Sequence, residues 1–231
     1  MEILEHIPVE YDMEAVLARL RIAPGSEDAE AAAELVARVR AVVNPKATYA
    51  LCSIGERRSD TVEFGGVTFT SRVLTVNLEK VHRVFPFVVT CGVELEEVEG
   101  AAGDPLAEYW LDELRIIALG AASAHLRRHI EERYRPGKIT SMSPGSLKDW
   151  PLTQQRELFS ALGDVEGAIG VRLTESFLMR PMKSVSGVYF QTETSFESCQ
   201  LCPREDCPGR RAPYDERLWQ ERYAERADRP G

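Results

Sequence analysis

Apolar positions recur at helical spacing through Met13, Val16, Leu17 and Leu20, and Pro24-Gly25 then stop the run. Ser26, followed by Glu27 and Asp28, predicts a capped second helix with acids in its first turn, carried through Leu35, Val39 and Val43 to Pro45. The first 45 residues therefore read as helical. "ATYALCSIG" reads as one buried strand. "TVEFGGVTFT" reads as a hairpin in which Val62 and Phe64 are answered by Val67 and Phe69 across Gly65-Gly66, and "VFPFVVTCG" as a further strand. From Pro105 to Tyr134 the residues Leu106, Trp110, Leu114, Ile117 and Ala121 mark the apolar face of the longest helix. The stretch "YRPGKITSMSPGS" predicts a Pro/Gly-rich loop, followed by a short helix capped near Thr153. "AIGVRLTESFLMRPMKSVSGVYF" predicts two strands with a turn near Arg180-Pro181, residues 172 to 179 having a partly helical alternative. Beyond Glu197 the chain turns polar until "DERLWQERYAERA", an amphipathic tail expected to fray.

These elements predict one α+β domain. Along it, residues 1–46 are a helical N-terminal segment, 47–196 the α+β core and 197–231 a cysteine-rich, metal-binding tail. With 231 residues, 44% of them hydrophobic, the chain is long enough to bury a real core. A net charge of -9 argues against nucleic acid as a partner, because binding a polyanion needs a basic face. No apolar run approaches the roughly 20 residues that span a bilayer, so no membrane partner is expected. "MEILEHIPVEYD" lacks the basic and apolar regions of a secretion signal, and the expected location is the cytoplasm.

Candidate chemistry concentrates in the cysteines. Cys199, Cys202 and Cys207 follow a Cys-x2-Cys-x4-Cys spacing, whose short loops suit ligation of one metal centre. A [4Fe-4S] cluster or a zinc ion usually takes four ligands, so Cys91 or Cys52 is the candidate to complete the set. The alternatives are a zinc-stapled loop without chemistry, or free thiols. His125 and His129, four apart on the long helix, read as a solvated face. The turns "YRPGK" and "SMSPGS" expose amides suited to an anionic group, whereas no Walker or dinucleotide-binding fingerprint is present. Gly187, within "SVSGVYF", opens a gap in a strand where a ligand or another backbone can approach.

Taken in order, "VVTCGVELEE", "ELRIIALGAASAHLRRHIEERY", the turn "SPGS" before "TQQRELFSALG", and above all "LTESFLMRPMKSVSGVYF" resemble the reactivation domain of cobalamin-dependent methionine synthase, over roughly residues 85 to 196. The resemblance implies a free-standing version of that α+β module, with a mixed, largely antiparallel twisted sheet packed by helices. It further implies that the module binds S-adenosylmethionine and docks on the cobalamin of a partner, where an electron and a methyl group restore methylcobalamin. The residues so implicated are Ser184, Ser186 and Gly187 as a close-approach surface, Tyr189 as a stackable rim, and Pro144 and Gly145 as the ligand-binding turn. One departure stands out: where the family shows Arg-Pro-Ala-Pro-Gly-Tyr, this chain has Ser141-Met142-Ser143-Pro144-Gly145-Ser146. Loss of the arginine fork is expected to cost about 2–3 kcal/mol of ligand affinity unless Lys138 or Arg135 substitutes.

The expected function is reductive activation of a cobalamin-dependent methionine synthase or related corrinoid methyltransferase. An iron–sulfur cluster at the cysteines would deliver the electron, and a ferredoxin or flavodoxin would supply it. The alternatives are a docking module with a structural zinc, and an S-adenosylmethionine-dependent methyl donor.

Overall fold

A computed structural model describes residues 1–98, 104–193, 196–207 and 209–224. In chain order the elements are β1 (Glu2–Leu4), α1 (Met13–Leu20), α2 (Glu27–Val42), β2 (Lys46–Tyr49), β3 (Cys52–Arg57), β4 (Thr61–Phe64) and β5 (Val67–Thr70). There follow α3 (Arg72–Asn77), β6 (Arg83–Thr90), α4 (Pro105–Tyr134), β7 (Ile139–Met142), α5 (Gln155–Leu162), α6 (Val165–Ile169), β8 (Arg172–Leu173), β9 (Met179–Arg180) and β10 (Ser184–Gln191). The expected α+β class holds, and every strand pairing in the main sheet is antiparallel. Among the described residues, no helix is long and apolar enough to cross a membrane.

The helices start where the sequence supplies caps. Asp12, Ser26 and Asp104 each accept a backbone N–H of the first turn of α1, α2 and α4, and Pro105 opens α4 without wasting a donor. Along α4 the buried positions are Ala107, Trp110, Leu111, Leu114, Ala118, Ala122, Leu126 and Ile130, steps of three and four that define one stripe. Its first half packs with Tyr11, Val16, Val36 and Val39, so the N-terminal helices rest on α4. Its second half covers Tyr49, Phe85, Phe87 and Tyr189 of the sheet. On the opposite sheet face, Val62, Phe64, Phe69, Val84, Val188 and Phe190 pack with Trp150 and Leu158.

β6 organises the sheet. β10 runs along one edge, from Ser184 opposite Thr90 to Phe190 opposite Val84, and carries β7 on its far side. The other edge is shared by β2, opposite residues 87–90, and β3, opposite 83 and 84. This divides the single strand expected over "ATYALCSIG", and Pro86 explains the division. The Pro86 carbonyl accepts the Ala50 N–H (3.0 Å), so the donor that proline lacks falls on the same edge, at the junction between β2 and β3. The hairpin forms in the expected register, Val62 opposite Phe69 and Phe64 opposite Val67.

Three further expectations are corrected. Glu2–Leu4 is a strand on β2, not part of a helical start. Ile139–Met142, read as loop, is an edge strand on β10, because Ile139 and Met142 bury their side chains against the two sheet faces. The C-terminal segment does not fray as far as it is described. Trp219–Tyr223 form a π-helical turn, and Tyr223, 0% exposed, packs with Phe196 and donates its hydroxyl to Asn77 Oδ1 (3.0 Å). Residues 225–231, the last part of the expected tail, lie outside the described residues.

Candidate functional site

Between the turn after β7 and the C-terminal segment lies a cleft of about 900 Å³. One wall is Gly145–Asp149 and the other is Leu201–Arg204 with Tyr214–Glu216 and Trp219. Gly145, at φ +83°, turns the chain sharply, and its N–H donates to the Trp150 carbonyl (2.7 Å), closing the loop that presents Ser146, Leu147 and Lys148. Asp149 anchors that loop to the body: its carboxylate accepts the Ser71 hydroxyl and the Arg72 and Val73 N–H groups, capping α3. The second wall begins with Phe196, whose carbonyl accepts the buried Thr140 hydroxyl (2.8 Å). A 3-10 turn, Ser198–Leu201, follows, closed by the reciprocal cap of Glu197 and Gln200. The Asp215 N–H donates to the Gln200 carbonyl (2.9 Å), and Arg72 Nε to the Tyr223 carbonyl (3.0 Å).

The cleft therefore joins an apolar floor to exposed aromatic rings and charge. Tyr214 is 49% and Trp219 38% exposed, Lys148 and Arg204 bring cations, and Glu216 a carboxylate. Such a set suits a ligand with a flat ring and a charged end.

The predicted β10 residues lie elsewhere and are used by the fold. A Cβ on Gly187 would stand 2.5 Å from the Met142 carbonyl oxygen, 2.7 Å from Ser143 Oγ and 3.2 Å from Phe87 Cε1. The gap expected for a ligand is thus closed by the protein itself, the approaching backbone being the end of β7. Ser186 Oγ accepts from Gln155 Nε2 (3.0 Å) in a buried pair, and Ser184 donates its hydroxyl to the Pro181 carbonyl (2.8 Å) with Thr90 Oγ1 3.0 Å away. Tyr189 does not form a rim: it is 7% exposed, stacked on Phe87 with centroids 4.4 Å apart, and burial pushes its phenol up from the ordinary value. Of the six residues expected to bind a cofactor, Gly145 lines the cleft, and Pro144 stands next to it, buried.

The expected metal centre is not assembled. Cys91 lies 1% exposed in the apolar cluster of α1, α2 and α4, where burial pushes its thiol up to about 11. Cys202 packs against a different cluster, on the far face of the sheet, which also contains Cys52. Cys199 Sγ accepts the Arg211 N–H (3.4 Å). Among the described residues, no three His, Cys, Asp or Glu side chains are grouped to hold an ion. Lys138 and Arg135, the expected substitutes for the missing arginine, do not line the cleft; Arg135 ends α4 at φ +44°. His129, half-buried, has a partner within the fold: its Nε2 is 2.9 Å from the Tyr49 hydroxyl, which neighbours the Tyr134 hydroxyl that donates to Glu2.

Sequence reasoning placed the turn at Pro144-Gly145 but missed Lys148, Arg204, Tyr214 and Trp219. Trp219 lies in the segment read as frayed, Arg204 and Tyr214 among and just behind the cysteines, and Lys148 three residues past the Pro144-Gly145 turn.

Comparison with known proteins bears on this turn and the cysteine segment beside it. Residues 122–201 match the family model of the activation domain of vitamin B12 dependent methionine synthase, a span that holds β7, the cleft turn, β10, Cys199 and Leu201. The chain resembles that activation domain. A solved structure described as the MetH reactivation domain bound to AdoHcy superposes with a TM-score of 0.56 at 17% identity, over 85% of this chain and 81% of that one. The activation-domain fold thus extends well beyond the matched segment. No curated protein matches the chain.

Proposed function

We propose that this protein reactivates a cobalamin-dependent methionine synthase or a related corrinoid methyltransferase, docking on the partner's cobalamin domain and holding S-adenosylmethionine in the cleft. The observation that carries the reading is the position of the cleft: its first wall, Gly145–Asp149, falls within the segment that matches the activation-domain family. The similar reactivation domain was solved with AdoHcy, the demethylated form of that methyl donor. Tyr214 and Trp219 offer faces for the adenine ring, Glu216 an acceptor for the ribose hydroxyls, and Lys148 and Arg204 the positive charge for the amino-acid carboxylate. In the reaction, the partner's oxidised Co(II) takes one electron and the sulfonium methyl group, giving methylcobalamin and AdoHcy. The electron is assigned to a separate carrier of the ferredoxin or flavodoxin class, a reading supported by the lack of a three-ligand group among the described residues.

The test uses a methionine synthase deprived of its own activation domain and trapped with Co(II). Added together with this protein, a reduced flavodoxin and S-adenosylmethionine, it is expected to show the methylcobalamin absorption spectrum. Persistence of the Co(II) spectrum with the protein present, while the intact synthase reactivates under the same conditions, would refute the reading.

A further inference from the structure

We propose that Cys199 and Cys202 form a redox-active dithiol, which exchanges with low-molecular-weight disulfides and closes into an intrachain disulfide beside the cleft. The 3-10 turn Ser198–Leu201 is closed by the Cys202 N–H, which donates to the Cys199 carbonyl (3.2 Å). That hydrogen bond closes the four-residue turn Cys199–Cys202, with Cys202 leaving it in extended backbone (φ -98°, ψ 113°); the end Cα atoms of such a turn stand within about 7 Å, the reach of disulfide-bonded pairs. The Glu197–Gln200 cap holds this turn in shape without the covalent bond.

The surroundings suit exchange. Arg210 donates from Nη1 to the Cys199 carbonyl (3.2 Å) and from Nη2 to the Cys202 carbonyl (3.4 Å), fixing a positive charge beside both residues. The Arg211 N–H on Cys199 Sγ adds a donor aimed at the sulfur itself. Together they offset the negative charge that passes between sulfurs during exchange. Access differs along the chain: Cys202 lines the cleft, whereas Cys52 and Cys91 are buried.

The Cys202 sulfur attacks a small disulfide such as oxidised glutathione, forming a mixed disulfide and releasing one thiol. The Cys199 sulfur then attacks the Cys202 sulfur, forming the intrachain bond and releasing the second thiol. Two electrons pass from the cysteine pair to the small disulfide, and the two cysteine protons end on the released thiols. The closed form fixes the turn that carries Leu201 and Cys202 into the cleft wall.

The full chain, prepared reduced without oxygen, is to be equilibrated in glutathione buffers of graded oxidised fraction, alkylated, cut after Lys and Arg, and weighed. Cleavage after Arg204 separates Cys199 and Cys202, which stay on one peptide, from Cys207. The expected result is loss of two hydrogens from the first peptide while Cys207, Cys52 and Cys91 remain alkylated. Cys199→Ser is expected to stop at the glutathione mixed disulfide on Cys202, and Cys207→Ser to behave as the parent. A disulfide to Cys207, no disulfide at any buffer ratio, or three tail thiols that react only after zinc is chelated would each overturn the proposal.

Discussion

A methyl group at position 187 has nowhere to go: the Met142 carbonyl and Ser143 Oγ stand under 3 Å from where it would sit. Because one obstacle is backbone, relief requires the end of β7 to move away from β10. Gly187→Ala is therefore expected to lose about 1–3 kcal/mol of stability in urea denaturation, the usual cost of overpacking; an unchanged midpoint would mean that the notch is open after all. Cys91 gives a second residue-scale expectation. Burial raises its thiol to about 11 in the folded chain, while in the unfolded chain it titrates near 9. Between these values the unfolded state releases a proton that the folded state keeps, so stability falls as pH rises from 9 to 11, by roughly 2–3 kcal/mol in all. Tyr223, pushed up to about 12 by burial, adds to the fall above pH 10. Cys91→Ala is expected to flatten the slope of unfolding free energy against pH in the 9–11 window, whatever constant packing loss it brings. An unaltered slope would remove the thiol as its source.

At the scale of elements, local patterns were enough wherever an element was long or its turn chemistry explicit. The α4 stripe, its Asp104-Pro105 start and the Gly65-Gly66 hairpin are all written in adjacent residues. What escaped depended on partners far away in the chain. The break between β2 and β3 is set by Pro86, more than thirty residues on, and the strand character of Ile139–Met142 by pairing with β10. The same holds for the candidate site: its turn is visible as Pro144-Gly145, but the wall facing it arrives from residues 201–219, and the Gly187 signal was a packing requirement of β7. Asp149 shows what such long-range wiring does. Its carboxylate caps α3 and so ties the cleft turn to an element some 75 residues earlier. Asp149→Ala strands the Val73 N–H and the Ser71 hydroxyl, and is expected to cost about 1–3 kcal/mol. Amide hydrogen exchange should quicken together in α3 and in residues 145–149; quickening in α3 alone would show that the turn is held by other contacts.

For the whole molecule, the cleft exists only because two remote segments meet across the edge of the sheet. One hangs from β7 and is pinned through Asp149; the other is pinned by Phe196 and Tyr223, both buried in the same cluster. The sequence departs from the pattern the resemblance implies at Ser141, Met142, Ser143 and Ser146, in β7 and the turn after it, yet the assembled cleft presents Lys148 from the first wall and Arg204 from the other. If these two cations hold the amino-acid carboxylate of AdoHcy, their removal should weaken AdoHcy but spare a ligand that lacks the carboxylate. The comparison ligand is 5′-methylthioadenosine, which keeps the adenine, the ribose and the sulfur. Titration can be read from the fluorescence of Trp219 in the cleft wall, with Trp110 and Trp150 buried as a constant background. The double variant Lys148→Ala, Arg204→Ala is expected to bind AdoHcy ten- to a hundredfold more weakly, about 1.4–3 kcal/mol, with methylthioadenosine changed less than threefold. Equal weakening of both ligands would assign the two side chains to cleft shape instead of charge recognition. Failure of the parent protein to bind either ligand would remove the nucleoside from the cleft while leaving docking on the cobalamin domain to its own test.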